Sequence, residues 1–319
     1  MEIIRPGPLA TVQDQGRFGF RDRGVPVCGA MDRQALRLGN LLVGNCPGAA
    51  SIEITLGGFV ARFQEDAHFA LTGAQTTARL NTVSFSAWRR YFARKGDTLQ
   101  TGPPVSGTRT YLAVEGGIEV APVMGSRSTF LKGGLGGLEG RALKQGDVLF
   151  LGAPAPRGSV DPILELPPEL IPDYSENALL RVLPGAQIGR LSPRGRQTFF
   201  SSRYLVSARS DRMGSILCGP PVELTHGADI ISDGAFPGAV QVPGNGQPVI
   251  LGSDCQTTGG YVKAATVIDV DLPLAAQLGP GAAVRFALVS LDEARLAYLK
   301  NEYLIRRMYE KNLKAGERQ

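Results

Sequence analysis

The sequence predicts a mainly β protein with few helices, organised as two β domains that arose by internal duplication. The chain of 319 residues contains 41 glycines and 22 prolines, a content typical of many turns between short strands. Short runs with strand periodicity recur along the chain, whereas helical periodicity is confined to two segments, near residues 32–45 and 291–312. An ordered series of similar segments in the two halves supports the duplication.

Four segments of the first half have counterparts, in the same order, in the second half. The pairs are Asp14–Gly19 with Ser210–Gly214, Cys28–Gly29 with Cys218–Gly219, Ile52–Gly57 with Val222–Gly227, and Leu71–Thr77 with Gly252–Thr258. Chance similarity between glycine-rich β sequences is the alternative explanation, and the common order of the four pairs argues against it. The repeated carboxylates Glu53 and Glu223 are predicted to be structural, on matching strands, and to pair with Arg17 and Arg212.

The first predicted domain spans residues 1–155. Its helix begins after Asp32, whose side chain can cap the N-terminus, carries leucines on one side and ends at Gly44. Strands are predicted at close spacing over residues 51–55, 59–63, 67–71, 88–92, 97–99 and 109–114. A glycine-rich loop at 125–141 fits no nucleotide-binding pattern, because its only lysine precedes the glycines and Glu139 stands at the third glycine position of the dinucleotide motif.

The second half is predicted to consist of a proline-rich linker at 156–175, a β domain at 176–290, and a C-terminal helix with a tail at 291–319. Strands at 239–242 and 248–251 are joined by a tight turn at Pro243–Gly246. After them, Ser253–Tyr261 is rich in short hydrogen-bonding side chains and glycines. Such a loop, held by strands, is typical of a small-molecule site, and a polar surface loop is the alternative.

Composition and charge exclude several classes of function. The net charge of +5 is spread along the chain without a basic run, so nucleic-acid binding is not expected. No apolar run reaches the ~18 residues of a membrane helix, and the N-terminus lacks signal-peptide features, so we expect no membrane association and a cytoplasmic location. The four cysteines lack metal or disulfide spacing and are predicted to be buried, and with only two histidines no metal site is expected.

Five motifs follow one another along the chain: Thr11–Arg17, Gly29–Asp32, Ser126–Arg141, Ser210–Gly214 and Gln241–Tyr261. Together they resemble the biotin-dependent carboxyltransferase family known as allophanate hydrolase subunit 2. The resemblance covers nearly the whole chain, from about Ile3 to Leu288. It implies two cyclophilin-like β-barrel domains, which agrees with the internal repeat.

Members of this family include the carboxyltransferase region of urea carboxylase, the C subunit of bacterial 5-oxoprolinase, and KipA-type antagonists of a sporulation-kinase inhibitor. For a chain of this length the resemblance implies a C subunit that acts on 5-oxo-L-proline, forming L-glutamate with ATP. The implied partners are the A subunit of 5-oxoprolinase and a B subunit of the allophanate hydrolase subunit 1 (KipI) type. ATP is expected to bind elsewhere, and biotin would have to be carried on another protein, because the chain has neither a phosphate loop nor an Ala-Met-Lys-Met acceptor motif.

The implied reactions act on a planar lactam or urea, which requires donors at the carbonyl oxygen and a group that moves the nitrogen proton. The candidate catalytic residues are Asp254, Gln256 and Tyr261. The candidate substrate-binding residues are Gln241, Thr257, Gly259 and Gly260, together with Arg127 and Arg141, which could pair with a substrate carboxylate.

Other functions remain open at the level of sequence. A urea-carboxylase-type carboxyltransferase is a close variant of the 5-oxoprolinase reading. A KipA-like regulator would bind a subunit-1-type partner without turnover, and a plain β-barrel ligand-binding module is a further alternative. The polar loop and the arginines near glycines favour an enzyme component over the ligand-binding module.

Overall fold

The computed structural model describes residues 1–154 and 166–314, which divide into two compact units. Over these residues the first unit comprises 1–17, 28–154, 166–172 and 302–314, and the second comprises 18–27 and 173–301. Segment 18–27 therefore belongs to the second unit although it lies near the N-terminus. Of the predicted linker and tail, residues 156–165 and 315–319 lie outside the described residues.

The first unit contains a curled, eight-stranded sheet. Its strands are β1 (Glu2–Arg5), β2 (Leu9–Gln13), β3 (Ser51–Thr55), β4 (Val60–Arg62), β5 (Ala67–Leu80), β6 (Val83–Phe85), β7 (Arg90–Ala93) and β8 (Thr98–Val114). The order is β1-β4-β8-β3-β2, and β5 joins β8 and pairs with β6 and β7. Strands β9 (Ile118–Glu119) and β10 (Phe150–Leu151) form a separate pair. Buried side chains such as Ile52, Phe69 and Leu112 fill the core.

The helix predicted after Asp32 is confirmed as α1 (Arg33–Leu42). The Asp32 carboxylate accepts a hydrogen bond from the Ala35 backbone N–H at 2.8 Å, which satisfies one of the unpaired donors at the helix start. The leucines predicted on one side of this helix are all buried: Leu36, Leu38, Leu41 and Leu42. Gly44 follows the helix with a φ of 78°, a left-handed conformation that favours glycine at a helix end.

The second unit contains a second eight-stranded sheet, in which seven strands close into a ring. The strands are β11 (Asn177–Pro184), β12 (Tyr204–Val206), β13 (Gly214–Cys218), β14 (Asp229–Gly234), β15 (Ala239–Val242), β16 (Val249–Leu251), β17 (Thr258–Val267) and β18 (Ala283–Leu288). The ring runs β11-β18-β12-β13-β16-β15-β17 and closes because β11 also pairs with β17. Strand β14 is attached to β17 alone. A second apolar core contains Leu180, Val240 and Phe286.

Strands β15, β16 and β17 carry different residues on their two faces, which decides where polar groups lie. Val240, Ile250 and Val262 point into the main core of the unit. On the other face, Ala239 and Leu251 form a small apolar cluster with Ala235 and Cys255. Because side chains alternate along a strand, Gln241 shares this second face with Ala239.

Three further helices complete the described fold: α2 (Pro193–Ser201), α3 (Leu272–Gln277) and α4 (Leu291–Lys314). In the first unit, α4 is tied to α1 by the Arg37–Glu302 ion pair and by a hydrogen bond from the Tyr309 hydroxyl to the Arg37 carbonyl, both at 2.5 Å. The prediction of a mainly β fold with few helices is confirmed.

Three predictions made from the repeat and from the cysteines are wrong. Glu53 lies on β3 but accepts hydrogen bonds from the Tyr111 hydroxyl and the Met31 N–H. Glu223 lies outside the strands and accepts from the Ser192 hydroxyl. Pro220 and Pro221 precede Glu223, and proline cannot donate to a strand ladder. Two of the four cysteines predicted to be buried are exposed: Cys46 lies in the loop between α1 and β3, and Cys218 is the last residue of β13.

Candidate functional site

A buried amide without a hydrogen-bond partner lies on the second face of β15. The Gln241 side chain is only 3% exposed, and its Nε2 atom has no hydrogen-bond partner among the described residues. A buried polar group that lacks a hydrogen bond costs free energy, so such groups are rare in folded proteins. An unpaired donor held in this way is ready to bind an acceptor that comes from outside the chain.

The side-chain amides of Gln241 and Gln256 both lie next to Gly259. A Cβ atom at Gly259 would lie 2.7 Å from Gln241 Nε2 and 3.3 Å from Gln256 Nε2. The first distance is too short for a real side chain, so only glycine leaves the Gln241 amide in its present place. Two predicted glutamines and one predicted glycine therefore converge at one point, where two N–H donors can meet one carbonyl oxygen.

A buried lysine lies directly across the strand pair from Gln241. In the β15–β17 register Gln241 faces Lys263, so the two side chains share a face. The Lys263 side chain is 5% exposed, and its Nζ donates to Asp233 Oδ2 at 2.7 Å. Asp233, on β14, is 57% exposed, and the hydrogen bond from Lys263 lowers the pKa of its carboxyl. A buried ammonium is retained only where it is paired or used.

Arg212 and Asp254, two residues before Gln256, form a buried ion pair. Arg212 Nε and Nη2 each donate to one oxygen of Asp254, both at 2.9 Å, and both side chains are buried. The paired geometry matches the guanidinium fork to the carboxylate. Because both oxygens of Asp254 accept from a permanent cation, the ion pair favours a structural role. The predicted proton transfer by Asp254 stays a prediction.

Segment 18–27 brings a further cation to the second unit. Arg21 Nη2 donates to the Ala235 carbonyl and, at 3.5 Å, to the Thr257 carbonyl. No carboxylate of the described residues forms an ion pair with Arg21. Cys255 lies close enough for the Arg21 charge to act on it, but burial raises the pKa of the thiol to about 11. The Cys255 thiol therefore stays protonated near neutral pH, which argues against a nucleophilic role.

The predicted residues Gly259, Gly260 and Tyr261 lie in a strand, not in a loop. They belong to the first part of β17, where Gly259 faces Asp233 and Tyr261 faces Asp229 on β14. Alternation along β17 places Gly259, Tyr261 and Lys263 on one face. The Tyr261 side chain is 43% exposed. Its predicted catalytic role, and the roles of Thr257 and Gly260, stay predictions.

The two predicted arginines of the glycine-rich loop lie in the first unit and are occupied by carboxylates of their own chain. Arg127 donates to Glu119 at 2.9 Å and to the Val120 carbonyl. Arg141 forms a paired contact with Asp147 at 2.7 and 3.0 Å, which lowers the pKa of Asp147. The structure gives these arginines local partners, and their binding of substrate stays a prediction.

The backbone of the glycine-rich loop forms hydrogen bonds within the loop, and this bears on whether the loop could hold a nucleotide. Its N–H groups donate within the loop, from Gly137 to the Arg127 carbonyl and from Gly140 to the Gly136 carbonyl. A phosphate loop instead points consecutive N–H groups at the ligand. The residues of this loop therefore do not fit a phosphate site. Within residues 1–154 and 166–314, no group of acidic, cysteine and histidine residues is arranged to hold a metal ion.

Comparison with known proteins assigns the family. The family model described as carboxyltransferase domain, subdomain A and B, matches residues 23–288. The chain belongs to this family. The resemblance derived from the five motifs is thereby confirmed.

Two relatives within this carboxyltransferase family match over nearly their full length. The chain is 43% identical to the C subunit of 5-oxoprolinase from Escherichia coli, covering 92% of this chain and 93% of the relative. It is 39% identical to the C subunit of 5-oxoprolinase from Haemophilus influenzae, covering 95% of each.

A solved carboxyltransferase-family structure is also similar, but the chain matches only a small part of it. The Kluyveromyces lactis urea carboxylase has a TM-score of 0.90 and 32% identity over 96% of this chain, which spans 29% of that protein. The K. lactis urea amidolyase matches with a TM-score of 0.89, and the chain spans 20% of it. The activity of those larger proteins as a whole is therefore not carried over from the match.

Sequence reasoning missed Lys263, Asp233 and Arg21. One signal for Lys263 was present, because it interrupts an otherwise apolar run from Val262 to Val267. A lysine in such a run is usually at an edge or exposed, so its burial could not be read from the pattern. In the part of the chain that the structure covers, no helix combines the length and apolar content of a membrane span.

Proposed function

We propose that this chain is the C subunit of a 5-oxoprolinase and acts in a complex with subunits of the A and B types. The observation that carries the proposal is the pair of matches to 5-oxoprolinase C subunits, at 43% and 39% identity with more than nine-tenths of each chain covered. The complex uses ATP, and the nucleotide binds elsewhere in the complex, because the glycine-rich loop here does not fit a phosphate site.

In this proposal the second face of β15 and β17 binds the lactam. The amides of Gln241 and Gln256, which lie side by side at Gly259, donate to the lactam carbonyl oxygen. They stabilise negative charge on that oxygen as the ring amide is attacked, which is the role of an oxyanion site. Tyr261, on the same face of β17, moves the proton at the ring nitrogen, and Thr257 and Gly260 shape the site through their backbones.

The proposal does not depend on the predicted roles of Arg127, Arg141 and Asp254, which stay predictions. Carboxylates of the chain occupy both arginines, and Arg212 holds Asp254. Biotin, if the complex uses it, arrives on another protein.

Reconstitution tests the proposal. The purified A and B subunits, this chain, ATP and 5-oxo-L-proline should yield glutamate, and omission of this chain should abolish the product. Within the active complex, Gln241→Leu and Gln256→Leu should each lower kcat by about 100- to 1,000-fold, the range for loss of one oxyanion donor. A complete mixture that makes no glutamate would refute the function.

One observation favours a second function. The K. lactis urea carboxylase has a similar fold over 96% of this chain. If the mixture is silent with 5-oxoproline but turns over urea with a carboxylated biotin carrier, the urea-carboxylase-type function replaces the first. If neither substrate reacts while a stable complex with the B subunit forms, a regulatory role replaces both.

A further inference from the structure

Lys263 is a buried cation whose hydrogen bonding is incomplete. An ammonium has three N–H donors. Among the described residues one of them is used, by Asp233 at 2.7 Å. The backbone N–H of Lys263 is fixed separately, by Gln187 Oε1 at 3.1 Å. The strand is therefore held in place while most of the ammonium's donor capacity is left over.

The unpaired Gln241 amide and the partly bonded Lys263 ammonium are neighbours. Gln241 and Lys263 face each other across β15 and β17, and side chains that face each other in this way have Cβ atoms about 5 Å apart. One is a neutral donor next to Gly259, and the other is a cation next to the exposed carboxylate of Asp233. Their spacing suits a small ligand with a carbonyl at one end and an anionic group at the other.

Three cations near these groups have two carboxylate partners among the described residues, and the cation without a carboxylate partner is Arg21. The cations are Arg21, Arg212 and Lys263, and the carboxylates that contact them are Asp233 and Asp254. A single negative charge on a ligand would balance the set. A carboxylate fits better than a phosphate, which carries a larger charge at neutral pH.

We propose that Lys263 binds the carboxylate of the substrate and that Asp233 is the positioning residue that holds the Lys263 ammonium for it. The identity of the ligand as 5-oxoproline rests on the proposed function. Lys263 then distinguishes a lactam that carries a carboxylate from urea or any simple amide. Specificity of this kind arises because a ligand without the carboxylate leaves the remaining N–H donors of the buried Lys263 ammonium without an acceptor among the described residues.

The test measures binding of two ligands to the complex with the A and B subunits. The ligands are 5-oxo-L-proline and 2-pyrrolidinone, which has the same lactam ring without the carboxylate. Lys263→Met should raise the Kd for 5-oxoproline on the order of 100-fold and change the Kd for 2-pyrrolidinone less than about 3-fold. Lys300→Met, which removes an exposed lysine of the same unit, should leave both values unchanged.

Further variants keep the test decisive. Lys263→Gln retains a polar group if Lys263→Met does not fold, and it should show the same selective loss. Asp233→Asn should weaken 5-oxoproline binding about 5-fold and leave 2-pyrrolidinone binding alone, which a merely structural role would not do. Equal weakening of both ligands, or of neither, would overturn the assignment of Lys263.

Glutamate formation, measured in the same preparations, distinguishes failure of the carboxylate site from failure of the proposed function. If wild type makes glutamate and Lys263→Met weakens both ligands alike, the function stands and the carboxylate site falls. If wild type makes no glutamate but binds 5-oxoproline in a Lys263-dependent way, the carboxylate site stands and the function falls.

Discussion

The two units each bury an arginine at a matching position of the sequence repeat, and they satisfy it in different ways. In the second unit, Arg212 forms a paired contact with Asp254. In the first unit, Arg17 is fully buried and donates to two backbone carbonyls, of Val123 at 3.0 Å and Ser128 at 2.9 Å. Its Nη1 atom has no hydrogen-bond partner in the part of the chain that the structure describes. The second unit therefore neutralises the charge of Arg212 with a carboxylate, whereas the first unit binds the guanidinium of Arg17 with backbone carbonyl groups.

The reason for the difference lies in one position of the repeat. Asp254 is matched in the first half by Gly73, so no carboxylate is offered there. Gly73 has a φ of 85°, and a Cβ atom at this position would lie 2.3 Å from the Arg109 carbonyl oxygen. The close strand approach in the first unit excludes a side chain. The two halves therefore keep a buried arginine at the matching position, while the groups that accept its hydrogen bonds differ because the backbone packs differently around Gly73 and Asp254.

Replacing the two arginines gives the largest expected effects and tests the comparison directly. Arg212→Met should lower the free energy of unfolding by about 3–5 kcal/mol, because it leaves the Asp254 anion buried without a counter-charge. Arg17→Met should lower it by about 1–3 kcal/mol, because it leaves two carbonyls unpaired but no charge. Urea denaturation monitored by circular dichroism measures both.

A double variant serves as the control for the arginine comparison. Arg212→Met combined with Asp254→Leu removes both charges and should recover most of the lost stability. Equal losses for the two single variants, with no recovery in the double variant, would mean that the Arg212–Asp254 pair is no more important than the neutral contacts of Arg17.

A second comparison concerns the residue that directly follows the last pair of repeated segments, which is Ala78 in the first half and Gly259 in the second half. Gly259→Ala makes the second unit resemble the first. Its Cβ would displace the Gln241 amide, so the Kd for 5-oxoproline in the complex should rise about 10-fold, or roughly 1.4 kcal/mol. Gly244→Ala, in the turn between β15 and β16, is the control, because its Cβ would meet nothing within 4 Å. Equal effects of the two alanines on the Kd would contradict the site geometry.

The unpaired amide of the second unit predicts opposite effects on stability and binding. Gln241→Leu removes a buried donor that has no partner, so the free energy of unfolding should rise by about 0.5–1 kcal/mol. The same change should weaken 5-oxoproline binding. Thermal unfolding and titration of one preparation measure both quantities. A variant that is less stable than wild type would show that Gln241 serves the fold and not a ligand.

The first unit offers a further, pH-dependent effect of about the same size, through the carboxylate of Asp147, which is paired with Arg141. Arg141 lowers the pKa of Asp147, so the stabilisation by ionised Asp147 is present above its unfolded pKa of 3.8 and is lost as the pH falls towards its folded pKa. Asp147→Asn should therefore cost about 1 kcal/mol at pH 7 and less at pH 3. A stability difference that stays constant over this pH range would show that the charge of Asp147 is not what stabilises the loop.

Local signals were sufficient to predict several elements of the fold. The cap at Asp32 and the leucines after it specify α1 without help from the rest of the chain. The run 239–242 and the turn at Pro243–Gly246 were likewise predicted, and the turn is closed by a hydrogen bond from the Gly246 N–H to the Pro243 carbonyl at 2.9 Å. In each case neighbours in sequence are also neighbours in space.

Long-range contacts could not be predicted from the sequence. Gly259 and Gly260 disfavour a strand by propensity, and they form one because β14 pairs with them. The Arg212–Asp254 pair joins residues 42 apart, and the assignment of a counter-charge to Arg212 depended on that contact. The structure brings Gln241, Gln256 and Gly259 together, and their predicted roles stay predictions. Lys263 was identified only from its burial in the structure.

The membership of residues 18–27 in the second unit has a consequence for how the protein is made. During synthesis these residues leave the ribosome long before 173–301 exist, so they must wait for most of the chain before they reach their native contacts. Contacts such as Arg21 with Thr257 close a loop of more than 200 residues, and such loops slow folding. A fragment that begins at residue 173 would lack this segment, so the second unit cannot be completed by its own contiguous sequence.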